Sequence, residues 1–145
     1  MIDVPISRGG DYIPLVGEKM SDVFVKPVLT KEGDITGSKT TTVNTYVPIP
    51  VKGADSFRFR GYPRKLFVMK AVTNNLLMQI EFSINNTDWV VRIADIPVNV
   101  GTIVVKETET NSELRGPWNY CRVQVKPAVA DTHGTGSFWF EGSTL

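Results

Sequence analysis

The chain is poor in the groups that carry covalent and metal chemistry. It holds one cysteine, Cys121, and one histidine, His133, among 145 residues. A lone cysteine excludes an internal disulfide, and one cysteine with one histidine cannot build the four-ligand Cys/His sets of structural zinc sites. Long hydrophobic runs are missing too: no apolar stretch exceeds four residues, far short of the ~20 a membrane-spanning helix needs. The leading residues Met1-Ile2-Asp3-Val4-Pro5 offer neither a basic n-region nor an apolar h-region, so no membrane partner and no signal-peptide export are expected. Nor is there a charge surplus. Sixteen basic side chains against fifteen acidic ones leave +1, too weak a field to draw nucleic acid.

What is present is an ordinary globular composition, 41% hydrophobic and 21% charged, with a mean hydropathy of −0.07. From about residue 56 onward, apolar and polar residues alternate with period two, as they do in strands with one face buried. The cleanest phase is Met78, Ile80, Phe82 and Ile84; a second is Cys121, Val123 and Val125. Further strands are predicted over 56–60, 65–73, 89–94, 98–107 and 136–141. Turn signals such as Asn85-Asn86-Thr87-Asp88 and the run 131–136 separate them. No window holds a helical period. The fold expected is therefore all-β, an antiparallel β-sandwich of jelly-roll or immunoglobulin-like type.

Residues 1–55 differ in kind, with five of the nine prolines, six glycines and a polar tract from Thr36 to Thr42. They read as an extended N-terminal arm ahead of a 56–145 sandwich, with short strand-like pieces at 22–28 and 43–49 interrupted by proline. Spaced apolar residues, including Ile2, Val4, Ile6, Tyr12 and Ile13, favour an arm that docks on a surface over one that only solvates.

Catalytic constellations are hard to assemble. His133 falls in the turn-like run Asp131-Thr132-His133-Gly134 and reads as an exposed loop residue, and Cys121 lies on the apolar phase of its strand. Glu107, Glu109 and Glu113 belong to a polar loop with nothing apolar nearby to raise a carboxyl pKa. Asp88, Asp95 and Asp131 are isolated, where calcium needs clustered oxygens. Arg8-Gly9-Gly10 lacks the lysine and helix of a phosphate loop. The residues point to no enzyme, metal or cofactor.

Two features suit partner binding. Arg58 and Arg60 alternate with Phe57 and Phe59 and, with Arg64 and Lys65, form a basic cluster able to meet carboxylates; a merely solvated face is the plain alternative. In Ser137-Phe138-Trp139-Phe140-Glu141, Phe138 and Phe140 share one side and Trp139 takes the other. Trp139 is then an interface anchor, a sugar-stacking platform, or a residue covered by the arm.

The segment Ser83-Ile84-Asn85-Asn86-Thr87-Asp88-Trp89 resembles a hairpin of small β-sandwich virion proteins of tailed bacteriophages, and Tyr120-Cys121-Arg122-Val123-Gln124-Val125 with the strand at 136–142 is similar to their closing pair. The resemblance spans about residues 65–142, and the long N-terminal segment lies outside it. It implies a non-enzymatic virion component assembled in the host cytoplasm, a capsid decoration or auxiliary protein first, a neck or tail component second. Expected partners are copies of itself and other virion proteins such as the major capsid protein, met through Ile2, Val4, Ile6, Tyr12, Ile13, Arg58, Arg60 and Trp139. A glycan-binding or receptor-binding module is the rival class, with Trp89, Trp118 or Trp139 stacking on sugar rings.

Overall fold

The structure, a computed structural model, describes residues 29–59 and 61–143, with side chains from residue 35 onward. Among them, nine strands run in chain order: β1 (Leu29–Thr41), β2 (Val47–Pro48), β3 (Phe57–Arg58), β4 (Arg64–Thr73), β5 (Leu76–Ser83), β6 (Val90–Val98), β7 (Ile103–Glu107), β8 (Tyr120–Pro127) and β9 (Gly134–Ser143). One turn of 3₁₀ helix, Ser112–Leu114, interrupts the β7–β8 connection. One sheet has the order β1-β9-β4-β7, the other β2-β8-β5-β6 with β3 also on β8, and all strand pairs are antiparallel.

The pairings nest: β1 with β9, β2 and β3 with β8, β4 with β7, β5 with β6. That is a single antiparallel ribbon folded at the β5–β6 hairpin and rolled so that successive pairs alternate between sheets. The topology is a jelly roll, which decides between the two sandwich types expected.

Alternation builds the core. Phe67, Met69 and Ala71 of β4 and Phe138 and Phe140 of β9 face Met78, Ile80 and Phe82 of β5 and Cys121, Val123 and Val125 of β8, all buried. Phe57, Phe59, Phe67, Phe82 and Phe140 interlock, with centroids 4.9 Å apart for the Phe59–Phe82 and Phe67–Phe140 pairs. At Gly142 a Cβ would lie 2.0 Å from the Tyr62 ring, so only glycine admits that ring against β9.

Residues 29–55, grouped with the arm on composition, contribute β1 and β2 to the two sheets and Ile35, Ile49 and Val51 to the core. The polar tract enters a strand because β1 is an edge: Thr36, Ser38 and Thr40 face outward and exposed. Of the strand-like pieces predicted there, 43–49 pairs only at Val47–Pro48, and 22–28 lies outside the described residues. The strand expected over 98–107 is two strands. A turn intervenes, with the Thr102 N–H donating to the Asn99 carbonyl at 3.1 Å and Gly101 at φ 87°.

Candidate functional site

The outward face of the four-stranded sheet follows from register. Trp139 of β9 stands beside Thr36 of β1 on one side and Val68 of β4 on the other, and Val68 stands beside Val105 of β7. The next row is Ser38, Ser137, Lys70 and Ile103. With the inward phase taken by phenylalanines and Met69, these side chains have only the outer face. Ile103 is 64% exposed, Val105 51% and Trp139 44%, while Leu66 and Val68 are half-buried between them. A shallow depression is lined by Leu66, Val68, Trp139 and Glu141. Apolar side chains that are adjacent and wet are unusual for a lone soluble domain and mark contact surfaces.

The five-stranded sheet treats its outer face differently. Gln79 donates to Gln124 at 2.9 Å and to Glu81 at 3.0 Å, Arg122 is ion-paired with Glu81, and the Arg122 guanidinium lies 4.5 Å from the centre of the Trp89 ring. Glu81 and Gln124 are nearly closed off from water. Beside them the Tyr46 hydroxyl donates to Asp95 at 2.6 Å and accepts from the Asp95 N–H at 3.1 Å. The Lys126 ammonium sits 4.7 Å above the Tyr46 ring. Burial, then the bond to Asp95, raises the tyrosine pKa. Polar groups here answer one another within the chain.

Of the residues expected to bind partners, Arg58 is exposed on β3, opposite Tyr120. Trp139 is on the other sheet, so the fold places these two on opposite faces of the sandwich. Ile2, Val4, Ile6, Tyr12, Ile13 and Arg60 lie outside the described residues. The basic cluster is not one surface. Arg64 pairs with Glu109 at 2.7 Å, whereas Lys65 takes the inward phase of β4 and is buried. Its ammonium donates to the Gly116 carbonyl at 3.0 Å and lies 5.5 and 5.7 Å from the Phe59 and Phe82 ring centres. Burial pushes its pKa down to about 8.

The candidate catalytic groups are dispersed. Burial pushes the Cys121 thiol up, away from thiolate. His133 is exposed in the β8–β9 loop, where its carbonyl accepts from Asn74 at 2.5 Å. Glu107 accepts from the Glu109 N–H at 2.6 Å and from Thr110. Those bonds hold its carboxyl below the usual range, opposite to what a general acid needs. No group of three or more His, Cys, Asp or Glu suited to a metal occurs among the described residues.

Sequence reading passed over Ile103, Val105 and Val68. The signal was the run Ile103-Val104-Val105, in which no polar residue marks a wet phase.

No protein-family model matches the chain, and no curated protein matches it. Among solved structures it is similar to a chain of infectious bursal disease virus, Gx strain, at 13% identity and TM-score 0.38, covering 76% of this chain and 28% of that one. A chain of the Gt strain of the same virus gives 14% identity and TM-score 0.40, covering 99% of this chain and 40% of that one. The chain thus spans less than half the length of either.

Proposed function

We propose that the protein is a non-enzymatic structural subunit of a virion, holding copies of itself and neighbouring proteins together through its N-terminal arm and the outer face of the four-stranded sheet. In the finer form of this reading it is a capsid decoration or auxiliary protein of a tailed bacteriophage; a neck or tail component is the second placement. The observation that carries the reading is the contiguous apolar surface of Val68, Ile103, Val105 and Trp139, in a sandwich whose other sheet, apart from the exposed Val90 and Val91 of β6, closes its outer polar groups within the chain. Jelly rolls serve capsid proteins and lectins alike, so the fold accommodates the role without selecting it.

A glycan-binding module draws less support. Trp89 stacks on Arg122, and Trp118 lies 5.4 Å from the Arg92 guanidinium while its indole N–H donates to the Arg115 carbonyl. Deleting residues 1–20 separates the two classes. Structural assembly predicts loss of oligomers in sedimentation with an unchanged circular dichroism spectrum. A glycan module predicts undiminished binding on a glycan array, and oligomers that survive the deletion would defeat the arm's role.

A further inference from the structure

We infer that β7 is the acceptor edge for the arm of a second copy, which adds residues 2–6 as a further strand; this rests on the assembly reading above and assigns it a place. Exposed strand edges invite pairing, and soluble proteins normally blunt them with proline, bulges, charge or very short strands. The described edges divide on that criterion. β6 carries Pro97, two register shifts against β5, and Asp95 at φ 52°. β2 is two residues long and ends on Pro48. β1 bends at a register shift against β9. β7 has no proline and pairs with β4 in unbroken register from Ile103 to Glu107. Its charges, Lys106 and Glu107, occupy only its last two positions, and Asn111 already takes the Glu107 N–H and carbonyl, so the open edge is that of Ile103 and Val105.

The arm's first residues match that edge. In Ile2-Asp3-Val4-Pro5-Ile6 the apolar side chains recur with period two. A strand added to β7 with that phase outward lays them beside Ile103 and Val105, extending the apolar surface by one strand. Neighbouring residues of a strand aim their N–H groups at opposite edges. When Val4 and Ile6 bond to β7, Pro5 therefore turns its missing donor to the new outer edge and stops further addition.

Chain length allows a second copy as donor, and position favours it. Residues 1–28 reach at most about 100 Å when extended, and they leave from Leu29 of β1, the edge opposite β7 across a sheet roughly 15 Å wide. Donor and acceptor thus lie on opposite edges of each subunit. Such an exchange closes as a two-fold dimer when two copies swap arms reciprocally, and propagates into rings or filaments when each arm goes to the next copy.

The test is complementation in the full chain, using a donor-only variant, I103K/V105K, and an acceptor-only variant lacking residues 1–8. Both altered side chains are exposed, and circular dichroism with thermal melting checks that each variant is folded. Wild type is expected to sediment as dimers or larger species, and each variant alone as a monomer. Their mixture is expected to form a 1:1 complex and nothing larger. The Ile103 and Val105 amides, whose N–H groups face the open edge, should exchange about tenfold more slowly in assembled than in dilute wild type. If I103K/V105K assembles like wild type while the deletion does not, β7 is the wrong acceptor and the arm reading survives. If the deletion still assembles, the arm reading falls with it. A mixture that stays monomeric overturns exchange between copies, and wild type that is monomeric with the Ile103 and Val105 amides protected at every concentration would mean that each arm occupies its own β7.

Discussion

The two outer faces of the sandwich are built from the same alternating pattern and reach opposite ends. On the five-stranded sheet, Gln79, Glu81, Arg122 and Gln124 stand opposite one another across β5 and β8 and close their own bonds. On the four-stranded sheet, the equivalent rows hold Val68, Val105, Ile103 and Trp139. Water is a good solvent for the first set and a poor one for the second. A face that is polar and internally paired contributes to folding, whereas an apolar and wet face gains its stabilisation only when something covers it.

The sharpest way to break this comparison is to open the polar face. Glu81→Leu leaves Arg122 facing a side chain that cannot accept, and removes one of the two acceptors of the Gln79 amide. We expect a loss of about 2–4 kcal/mol in urea unfolding at neutral pH with an unchanged m-value. The double change Glu81→Leu/Arg122→Leu should recover much of it, because neither partner is then left alone. A single substitution as tolerated as an ordinary surface change would show that the network is incidental.

Lys65 tests the same distinction inside the core, since it is a polar group held by one carbonyl and two ring faces. Its folded pKa of about 8 lies below its ordinary 10.5. Below pH 8 both states hold the proton and the folded state bears the full cost of the buried cation. Between the two values the unfolded chain binds more protons, so this group's contribution makes stability rise with pH. Cys121 and Tyr46, both raised, act in the opposite direction above roughly pH 9 and 10. The difference between wild type and Lys65→Met therefore isolates the lysine: Lys65→Met should be more stable near pH 7 by on the order of 1–3 kcal/mol, an advantage that shrinks towards pH 10. A pH-independent difference would mean that the ammonium is solvated in the folded protein.

A smaller effect is expected at Tyr46. Tyr46→Phe removes the hydroxyl that both donates to Asp95 and receives its N–H. That should cost about 1 kcal/mol in thermal unfolding, and no loss would indicate that water replaces the hydroxyl without penalty.

Much of the fold was legible because period two is strong in the strands that line the core. Met78, Ile80 and Phe82, Cys121, Val123 and Val125, and Phe138 with Phe140 all face inward as their alternation requires. The Ser83–Trp89 turn behaves as its residues suggest: the Ser83 hydroxyl accepts from the Asn85 and Asn86 N–H groups, and the Asn85 side chain from those of Thr87 and Asp88. Edge strands were harder. β1 is polar because an edge can be, and Gly37 is required by the close approach of Pro50 and Ile49, neither of which local pattern reveals. Lys65 misled for another reason, since its charge invites a surface reading whereas its phase, shared with Phe67 and Met69, sets its direction. The apolar face was least legible of all. Ile103, Val105, Val68 and Trp139 come from three strands, and only register makes them neighbours.

The smallest effect on folding is predicted where the effect on association should be large. Ile103→Ser and Val105→Ser each remove a side chain that is mostly in water already, so unfolding free energy should move by no more than about 0.5 kcal/mol. Self-association, followed by sedimentation, should weaken at least about tenfold, because each serine removes apolar area that only a partner would cover. Salt supplies the control. A contact made by these side chains should hold from ~0.05 to ~0.5 M, whereas one made by Arg58 and Arg60 against acidic groups should loosen over that range. Stability that falls with association unchanged would assign this face to folding, and the contrast between the two sheets would disappear.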